Sequence, residues 1–240
     1  MNIVIDQGNT SAKIALFEGK EPIEVFRFRP LRKKDLLELF TNYAPERGIL
    51  SSVGKIDSSL IRLMEEHIPH FIILDEHTPL PITVEYRTPA TLGKDRIAGV
   101  VGAYTLKPGR NILVIDIGTA ITYDFIDSDG YYKGGNISPG MTARFKALHQ
   151  YTKQLPMLDE EGDIPELGYD TPTAIRAGVV HGITMELDAY IREYKKKHNV
   201  LTFLTGGHSF YFADKLKRLI FADGNLVLKG LNEILTYQDA

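Results

Sequence analysis

The sequence predicts an α/β fold in which two duplicated domains are each built on a mixed sheet. Apolar, β-branched runs alternate with segments of helical spacing along most of the chain, which is typical of an α/β layer. The opening pattern Val4-Ile5-Asp6-x-Gly8 recurs as Val114-Ile115-Asp116-x-Gly118, at an offset of 110 residues. A domain-sized offset in the same strand-turn-strand context indicates internal duplication.

Length and composition exclude several classes of protein. The chain has 240 residues, a net charge of −3 and 43% hydrophobic residues, which are ordinary globular values. The near-neutral charge supplies no field for nucleic acid or an anionic membrane, and no window holds the ~18 apolar residues of a membrane helix. The absence of Cys removes disulfides, thiolate nucleophiles and Cys-based zinc sites. We therefore expect a cytoplasmic protein that binds neither nucleic acid nor membrane.

The first half of the chain predicts a hairpin followed by alternating helices and strands. Ile3-Val4-Ile5 and Ile14-Ala15-Leu16-Phe17 flank a turn rich in Gly and Asn, as in a β-hairpin. The expected elements after it are strand 25–28, helix 35–43, strand 48–53, helix 57–67 with Asp57 or Ser58 as its cap, strand 71–74, an irregular segment 75–91 with three prolines, and helix 93–106.

The second half begins after a turn at Lys107-Pro108-Gly109-Arg110, which predicts domains over residues 1–108 and 109–240. A strand leads to Asp116 and an apolar segment follows over 121–125. Helices are predicted over 139–150, with Pro139 at the first position, and over 171–198, with a break near Gly178 or Gly182 left open. Strand 201–204 ends at Thr205-Gly206-Gly207, and helical segments end the chain.

The glycine turns predict a phosphate site. An Asp-x-Gly turn after a buried strand places a carboxylate beside bare backbone N–H donors. Two such turns, with the hydroxyls of Thr10 and Thr119, would clamp phosphate oxygens and a cation, and Lys13 could reach a terminal phosphate. No Walker-type loop and no Gly-x-Gly-x-x-Gly is present, so the site would be of the two-hairpin type. The alternative is that each glycine serves only its own tight turn.

Six short segments follow one another along the chain: Asp6-x-Gly8-Asn9-Thr10-x-x-Lys13, Val84-x-Tyr86-x-x-Pro89 through Gly93-x-Asp95-Arg96, Asp116-x-Gly118-Thr119-Ala120, Gly134-Gly135-x-Ile137-x-Pro139-Gly140, Thr171-x-x-Ala174-Ile175 and Thr205-Gly206-Gly207. In this order they resemble the motifs of type III pantothenate kinases, in the superfamily of acetate and sugar kinases, actin and heat-shock chaperones, and the resemblance covers nearly the whole chain. Two small departures are Lys94, where a small residue is commoner, and Asp170 before Thr171, where Asn is common.

The resemblance implies two ribonuclease-H-like domains around an ATP cleft, and a homodimer whose interface shapes the pantothenate pocket. It implies ATP-dependent phosphorylation of the primary hydroxyl of pantothenate to 4'-phosphopantothenate, the first step of coenzyme A biosynthesis. Magnesium and a monovalent cation, potassium or ammonium, are the implied cations.

The resemblance also implies residue roles. Asp95 would be the catalytic base, Asp6 would hold magnesium directly or through water, and Asp116 would hold the monovalent cation; the exchange of these two cation roles stays open. The implied ATP-binding residues are Asp6, Gln7, Gly8, Asn9, Thr10, Ser11, Ala12, Lys13, Thr119, Gly206 and Gly207. The implied substrate-binding residues are Tyr86, Gly93, Lys94, Asp95, Arg96 and Thr171.

Other interpretations of the same residues remain open from sequence. Asp95 could be a helix N-cap or a first-turn charge, Arg96 a surface ion pair, and Tyr86 a packed strand residue. The chain as a whole could be a non-catalytic nucleotide-binding regulator, a kinase for another small alcohol or acid, or a phosphohydrolase. A regulator has no need for the complete set of Asp, Lys, Arg and Thr residues, which favours the kinase.

Overall fold

The computed structural model describes residues 1–8, 11–54 and 56–238. The predicted α/β class is confirmed, because the strands form two mixed sheets with helices packed against them. The chain separates into two compact units. Unit 1 comprises Met1–Gly109, Ile126–Gly134 and Asn225–Ala240, and unit 2 comprises Arg110–Phe125 and Gly135–Gly224.

Unit 1 is built on a five-stranded sheet with the order β3-β2-β1-β4-β5. The central strand β1 is antiparallel to β2, as the predicted hairpin requires, and parallel to β4. One face of the sheet packs through Ile5 and Leu50 onto α1 and α2. The elements are β1 (Asn2–Gln7), β2 (Ala12–Glu18), β3 (Glu21–Phe28), α1 (Lys33–Asn42), β4 (Arg47–Ser52), α2 (Ser58–His67), β5 (His70–Ile73), β6 (Thr83–Val84), a 3-10 turn (Pro89–Thr91) and α3 (Lys94–Leu106). Asp57 caps α2, because its carboxylate accepts a hydrogen bond from the Ser59 N–H at 2.8 Å.

The C-terminal helix α7 (Leu226–Tyr237) packs on α3 within unit 1. Two glycines allow the close approach of these helices: a Cβ on Gly230 would overlap the Ala98 carbonyl, and one on Gly102 would overlap the Leu226 carbonyl. This packing is why the compact unit 1 includes the C-terminal stretch Asn225–Ala240. The division of the chain into two duplicated domains, over residues 1–108 and 109–240, stays a prediction.

Unit 2 is built on strands in the order β11-β10-β7-β8-β9, and β10 is parallel to β7. Its core surrounds Ile115, Leu204 and the buried side of α5. The elements are β7 (Ile112–Ile117), β8 (Ala120–Ile126), β9 (Tyr131–Pro139), α4 (Met141–Tyr151), α5 (Thr171–His198), β10 (Leu201–Thr205), α6 (Ser209–Ala213) and β11 (Phe221–Ala222). The start of β9, which belongs to unit 1, pairs with β6.

The structure corrects the sequence prediction at Pro139, settles the open question of a break in the long helix, and adds two strands. Pro139 does not begin a helix: it ends β9, and α4 starts at Met141, because the Gly140 N–H donates to the Thr119 carbonyl at 3.1 Å and keeps the chain extended. Helix α5 continues unbroken through Gly178 and Gly182, since isolated glycines weaken a helix by only about 1 kcal/mol each. Strand β9 was not predicted, and segment 75–91 contains β6.

The hydropathy of the described helices does not match that of a membrane-spanning segment. None of the helices in residues 1–8, 11–54 and 56–238 is both long and apolar enough to cross a bilayer.

Candidate active site

The first Asp-x-Gly turn places Asp6 at the carboxyl end of β1. Asp6 pairs in register with Lys13 on β2 and with Ser51 on β4. Residues paired across a sheet point to the same face, so these three side chains share the face opposite to Ile5 and Leu50. The site therefore starts from a carboxylate with an ammonium and a hydroxyl on its two neighbouring strands.

The ionised form of Asp6 is disfavoured in the folded protein. The pKa of its carboxyl group rises from 3.8 to about 6. Burial is the largest cause, and the negative charge of Asp95 raises the pKa further. The positive charge of Lys13 lowers it and offsets part of the effect. The influence of Asp95 indicates that the two carboxylates of unit 1 repel each other. A cation beside them would relieve this repulsion.

We expect Asp6→Asn to stabilise unit 1 near pH 8 in the absence of divalent cations. Because the folded pKa of Asp6 is raised, the wild-type protein loses stability as the pH rises from about 4 to about 6, by about 2 kcal/mol. The variant lacks this loss. Thermal unfolding in EDTA at pH 4 and pH 8 should therefore show a higher midpoint for the variant at pH 8 and little difference at pH 4. Equal midpoints at pH 8 would contradict the burial of an ionised carboxylate.

Asp95 lies in the first turn of α3. The N-cap of α3 is Gly93, so the N-cap interpretation of Asp95 is wrong. The Asp95 Oδ1 accepts a hydrogen bond from the Arg96 N–H at 2.9 Å. A Cβ on Gly93 would approach the same Oδ1 to 2.5 Å. The absence of a side chain at Gly93 therefore leaves room for the Asp95 carboxylate.

Arg96 and Tyr86 form a second part of the site in unit 1. Arg96 is only 7% exposed, which excludes the surface ion pair considered from sequence. Its guanidinium carbon lies 5.8 Å from the centre of the Tyr86 ring, which in turn stacks on Tyr132 at 6.4 Å. Gly134, at φ +98°, passes beneath Tyr86, where a Cβ would approach the ring to 3.3 Å. Tyr86 is thus both packed and beside a buried cation, although it does not lie in a strand.

Lys94, one of the two departures from the family pattern, is largely buried. Its side chain is 12% exposed and its Nζ lies 3.8 Å from the Glu76 Oε2. Among the described residues the Nζ has no hydrogen-bond partner. The positive charge of Lys94 therefore lies at the start of α3, and the carboxylate of Glu76 is 3.8 Å away.

In unit 2, the second Asp-x-Gly turn lies beside the turn at Gly206. Asp116 pairs in register with Thr205 on the parallel strand β10. Gly206 has φ +91°, and a Cβ there would overlap the Asp116 Oδ1 and lie 2.7 Å from the Ile117 backbone. Around Gly207, by contrast, a Cβ would meet nothing within 4 Å. The structure thus brings together two of the glycine turns that the sequence singled out.

Gly140 completes this group of turns. A Cβ on Gly140 would overlap the carbonyls of Gly118 and Thr119, while the Thr119 residue itself is exposed. The segment before Gly140 is held by Glu186 of α5, which accepts hydrogen bonds from Ser138 at 2.6 Å and Tyr123 at 2.7 Å and pairs with Arg144. Sequence analysis did not identify this network, whose members are far apart in the chain.

Thr171 is exposed in the first turn of α5. The preceding Asp170 is the N-cap, and its carboxylate accepts from the Thr173 N–H at 2.8 Å. Because Asp and Asn cap helices about equally well, this departure from the family pattern keeps the cap.

The remaining candidates lie along the first turn. Gln7 ends β1, Ala12 is buried at the start of β2, and the Gly8 N–H donates to the Ser11 carbonyl at 3.0 Å. Asn9 and Thr10 lie outside the described residues.

The donor sets fit cations that are held partly by phosphate. Among the described residues, no three His, Cys, Asp or Glu side chains form a complete metal cluster. Magnesium in phosphoryl-transfer sites is held by one or two carboxylates together with substrate phosphates and water. A single carboxylate at the end of β1 and another at the end of β7 suit this kind of binding.

Comparison with known proteins identifies the family. A sequence model described as type III pantothenate kinase matches residues 2–193. The chain belongs to the type III pantothenate kinase family. The type III pantothenate kinase of Azobacteroides pseudotrichonymphae genomovar. CFP2 is 52% identical over 99% of the chain and 97% of its own length. The predicted activity is confirmed: the chain is a phosphotransferase that uses ATP to phosphorylate pantothenate in coenzyme A biosynthesis.

Solved structures show the fold alone. A protein from Campylobacter jejuni named for the Baf family of transcriptional activators is 22% identical, with a TM-score of 0.64 over 99% of this chain and 98% of its own. A Listeria monocytogenes protein named for N-acetylmannosamine kinase activity is 12% identical, with a TM-score of 0.59 over 100% of this chain and 99% of its own. The predicted membership of the fold shared with sugar kinases is thereby confirmed.

Proposed function

We propose that Asp95 is the base that accepts the proton of the primary hydroxyl of pantothenate during phosphoryl transfer. The observation that carries this proposal is a carboxylate at the start of α3 that acts electrostatically on Asp6 and precedes the buried Arg96. As the bond from the hydroxyl oxygen to the γ-phosphorus forms and the bond to the β-phosphate oxygen breaks, the proton passes to an Asp95 oxygen. A weak base suffices when the transition state is loose and the proton leaves late.

Arg96 is proposed to hold the carboxylate of pantothenate. Its planar guanidinium can bind a carboxylate through two parallel hydrogen bonds, and its burial strengthens the interaction by excluding water. Tyr86 would offer a hydroxyl from the adjacent ring. We also assign substrate contacts to Gly93, Lys94 and Thr171, as the family pattern implies.

Asp6 and Asp116 are proposed to hold the cations. We assign magnesium to Asp6 and potassium or ammonium to Asp116, and the reverse assignment is the alternative. When bound, magnesium neutralises the charge that develops on the phosphate oxygens. Lys13 would contribute a point charge to the terminal phosphate. Nucleotide contacts are assigned to residues 7–12, Thr119, Gly206 and Gly207.

A homodimer is also proposed, as the family resemblance implies. Exposed apolar side chains in unit 2 support it: Met185 on α5 is 71% exposed and Ile137 on β9 is 63% exposed. A subunit interface would remove these apolar side chains from water, which is favourable. Light scattering in solution should give twice the mass of one chain.

The experiment that tests the function is ADP release measured with each component left out in turn. We expect release to require both pantothenate and potassium or ammonium, and to be lost when sodium replaces them. The control is the same assay with a hydroxyl-free analogue of pantothenate, which has no acceptor for the phosphoryl group. Release that is indifferent to pantothenate would contradict the assigned substrate, and indifference to the monovalent cation would contradict the role of Asp116.

A further inference from the structure

Ser51 is a buried hydroxyl without a hydrogen bond. It lies near the carboxyl end of β4, and its residue is 0% exposed. Its Oγ has no hydrogen-bond partner anywhere in residues 1–8, 11–54 and 56–238. A hydroxyl buried in this way costs roughly 1–3 kcal/mol. Stability alone would favour alanine at this position, so the hydroxyl calls for a partner that the protein chain does not supply.

The register of the sheet shows where that partner belongs. Ser51 is the residue of β4 that pairs with Asp6, and the preceding pair, Leu50 and Ile5, points to the opposite face and packs in the core of unit 1. Adjacent strands lie about 4.8 Å apart. The hydroxyl of Ser51 is therefore the neighbour of the Asp6 carboxylate on one side, as Lys13 is on the other.

Unit 2 repeats the same arrangement. Asp116 pairs with Thr205 across parallel strands, and Thr205 is 1% exposed. The preceding pair, Ile115 and Leu204, again points into the core. Each of the two candidate cation carboxylates thus has a buried hydroxyl residue opposite it on the next parallel strand. A hydroxyl at both positions is a second observation that ties Ser51 to the carboxylate rather than to local packing.

We propose that Ser51 is a positioning residue for the cation at Asp6. Its Oγ accepts a hydrogen bond from a water of the hydrated cation that Asp6 holds. This bond is available only when the hydrated ion is bound, which explains why the hydroxyl is unpartnered within the protein. The proposal rests on the proposed function, in which Asp6 holds magnesium.

Calorimetry with a non-hydrolysable ATP analogue tests this role without catalysis. The dissociation constant is measured in magnesium and in EDTA, and the ratio of the two constants is the gain that magnesium provides. Hydrogen-bonding partners of metal ligands typically contribute 10–100-fold to metal affinity. We expect Ser51→Ala to reduce the magnesium gain roughly 10-fold and to leave the constant in EDTA unchanged, with a thermal midpoint equal to or above that of the wild type.

Three further variants make the outcome decisive. Ser51→Thr keeps a hydroxyl, as at position 205, and should retain most of the magnesium gain. Ser52→Ala removes the neighbouring hydroxyl, which bonds the Gly54 carbonyl at 2.8 Å, and should leave the gain unchanged. Asp6→Asn should abolish the gain, which would support the assignment of magnesium to Asp6.

The possible failures differ from one another. If Asp6→Asn abolishes the magnesium gain and Ser51→Ala leaves it intact, the role of Ser51 is refuted and that of Asp6 stands. If Asp6→Asn also leaves the gain intact, the assignment of magnesium to Asp6 fails and the role of Ser51 fails with it. A fall in thermal midpoint with equal weakening in magnesium and EDTA would show that Ser51 serves folding only.

Discussion

Asp95→Asn is expected to reduce turnover by about 10²- to 10⁴-fold, the usual contribution of a positioned acid or base. Asparagine keeps the size of the side chain, so the contacts at the start of α3 are preserved. It cannot accept the proton of the pantothenate hydroxyl. The affinity for ATP should change little, because Asp95 is not assigned to the nucleotide. Steady-state rates and calorimetric ATP titration measure the two quantities separately.

A purely structural role for Asp95 makes a different prediction. A carboxylate in the first turn of a helix stabilises it by about 0.3–1 kcal/mol through the helix dipole. If this were its only function, Asp95→Asn would leave turnover unchanged, which would refute the proposed base. Asp57→Asn is the matched control: it makes the same change at the start of α2, where Asn also caps well, and should leave turnover unchanged.

Local patterns explain how much of the fold was predictable. The hairpin of β1 and β2 follows from two apolar runs around a tight turn, and the cap of α2 follows from Asp57 before a helical run. Asp6 and Asp116 were found because each ends a β-branched strand beside a glycine. All of these signals lie within about ten residues of chain, where propensity and turn chemistry dominate.

The rest depends on contacts between distant parts of the chain. The packing of α7 on α3 requires Gly102 and Gly230. Both glycines lie inside their helices, and nothing in the sequence around them indicates that the two helices meet there. Extended strand β9 overrides the helix expected at Pro139, because Gly140 hydrogen-bonds the turn at Thr119. Ser51 is one of two adjacent serines at the end of a strand. Only the register of β4 against β1 shows that it, rather than Ser52, faces Asp6.

The turn at Gly206 should be a sensitive backbone position of the site in unit 2. We expect Gly206→Ala to reduce kcat/KM for ATP at least about 100-fold, equivalent to about 2.7 kcal/mol. The methyl group would displace the Asp116 carboxylate and collide with the Ile117 backbone. Both the cation assigned to Asp116 and the nucleotide contacts assigned to the turn would be affected. Steady-state kinetics with varied ATP and varied potassium measure these losses.

Two other glycines separate the causes of that loss. Gly109 has φ +70° and open space around its Cβ position, so Gly109→Ala adds only backbone strain of about 1–2 kcal/mol and should lower the thermal midpoint without changing kinetics. Gly207→Ala meets no protein atom within 4 Å. It should therefore keep the wild-type midpoint and raise only the KM for ATP, because the methyl group occupies the space assigned to the nucleoside. If Gly206→Ala resembled Gly109→Ala in both measurements, its turn would serve folding alone and the proposed nucleotide contact would be wrong.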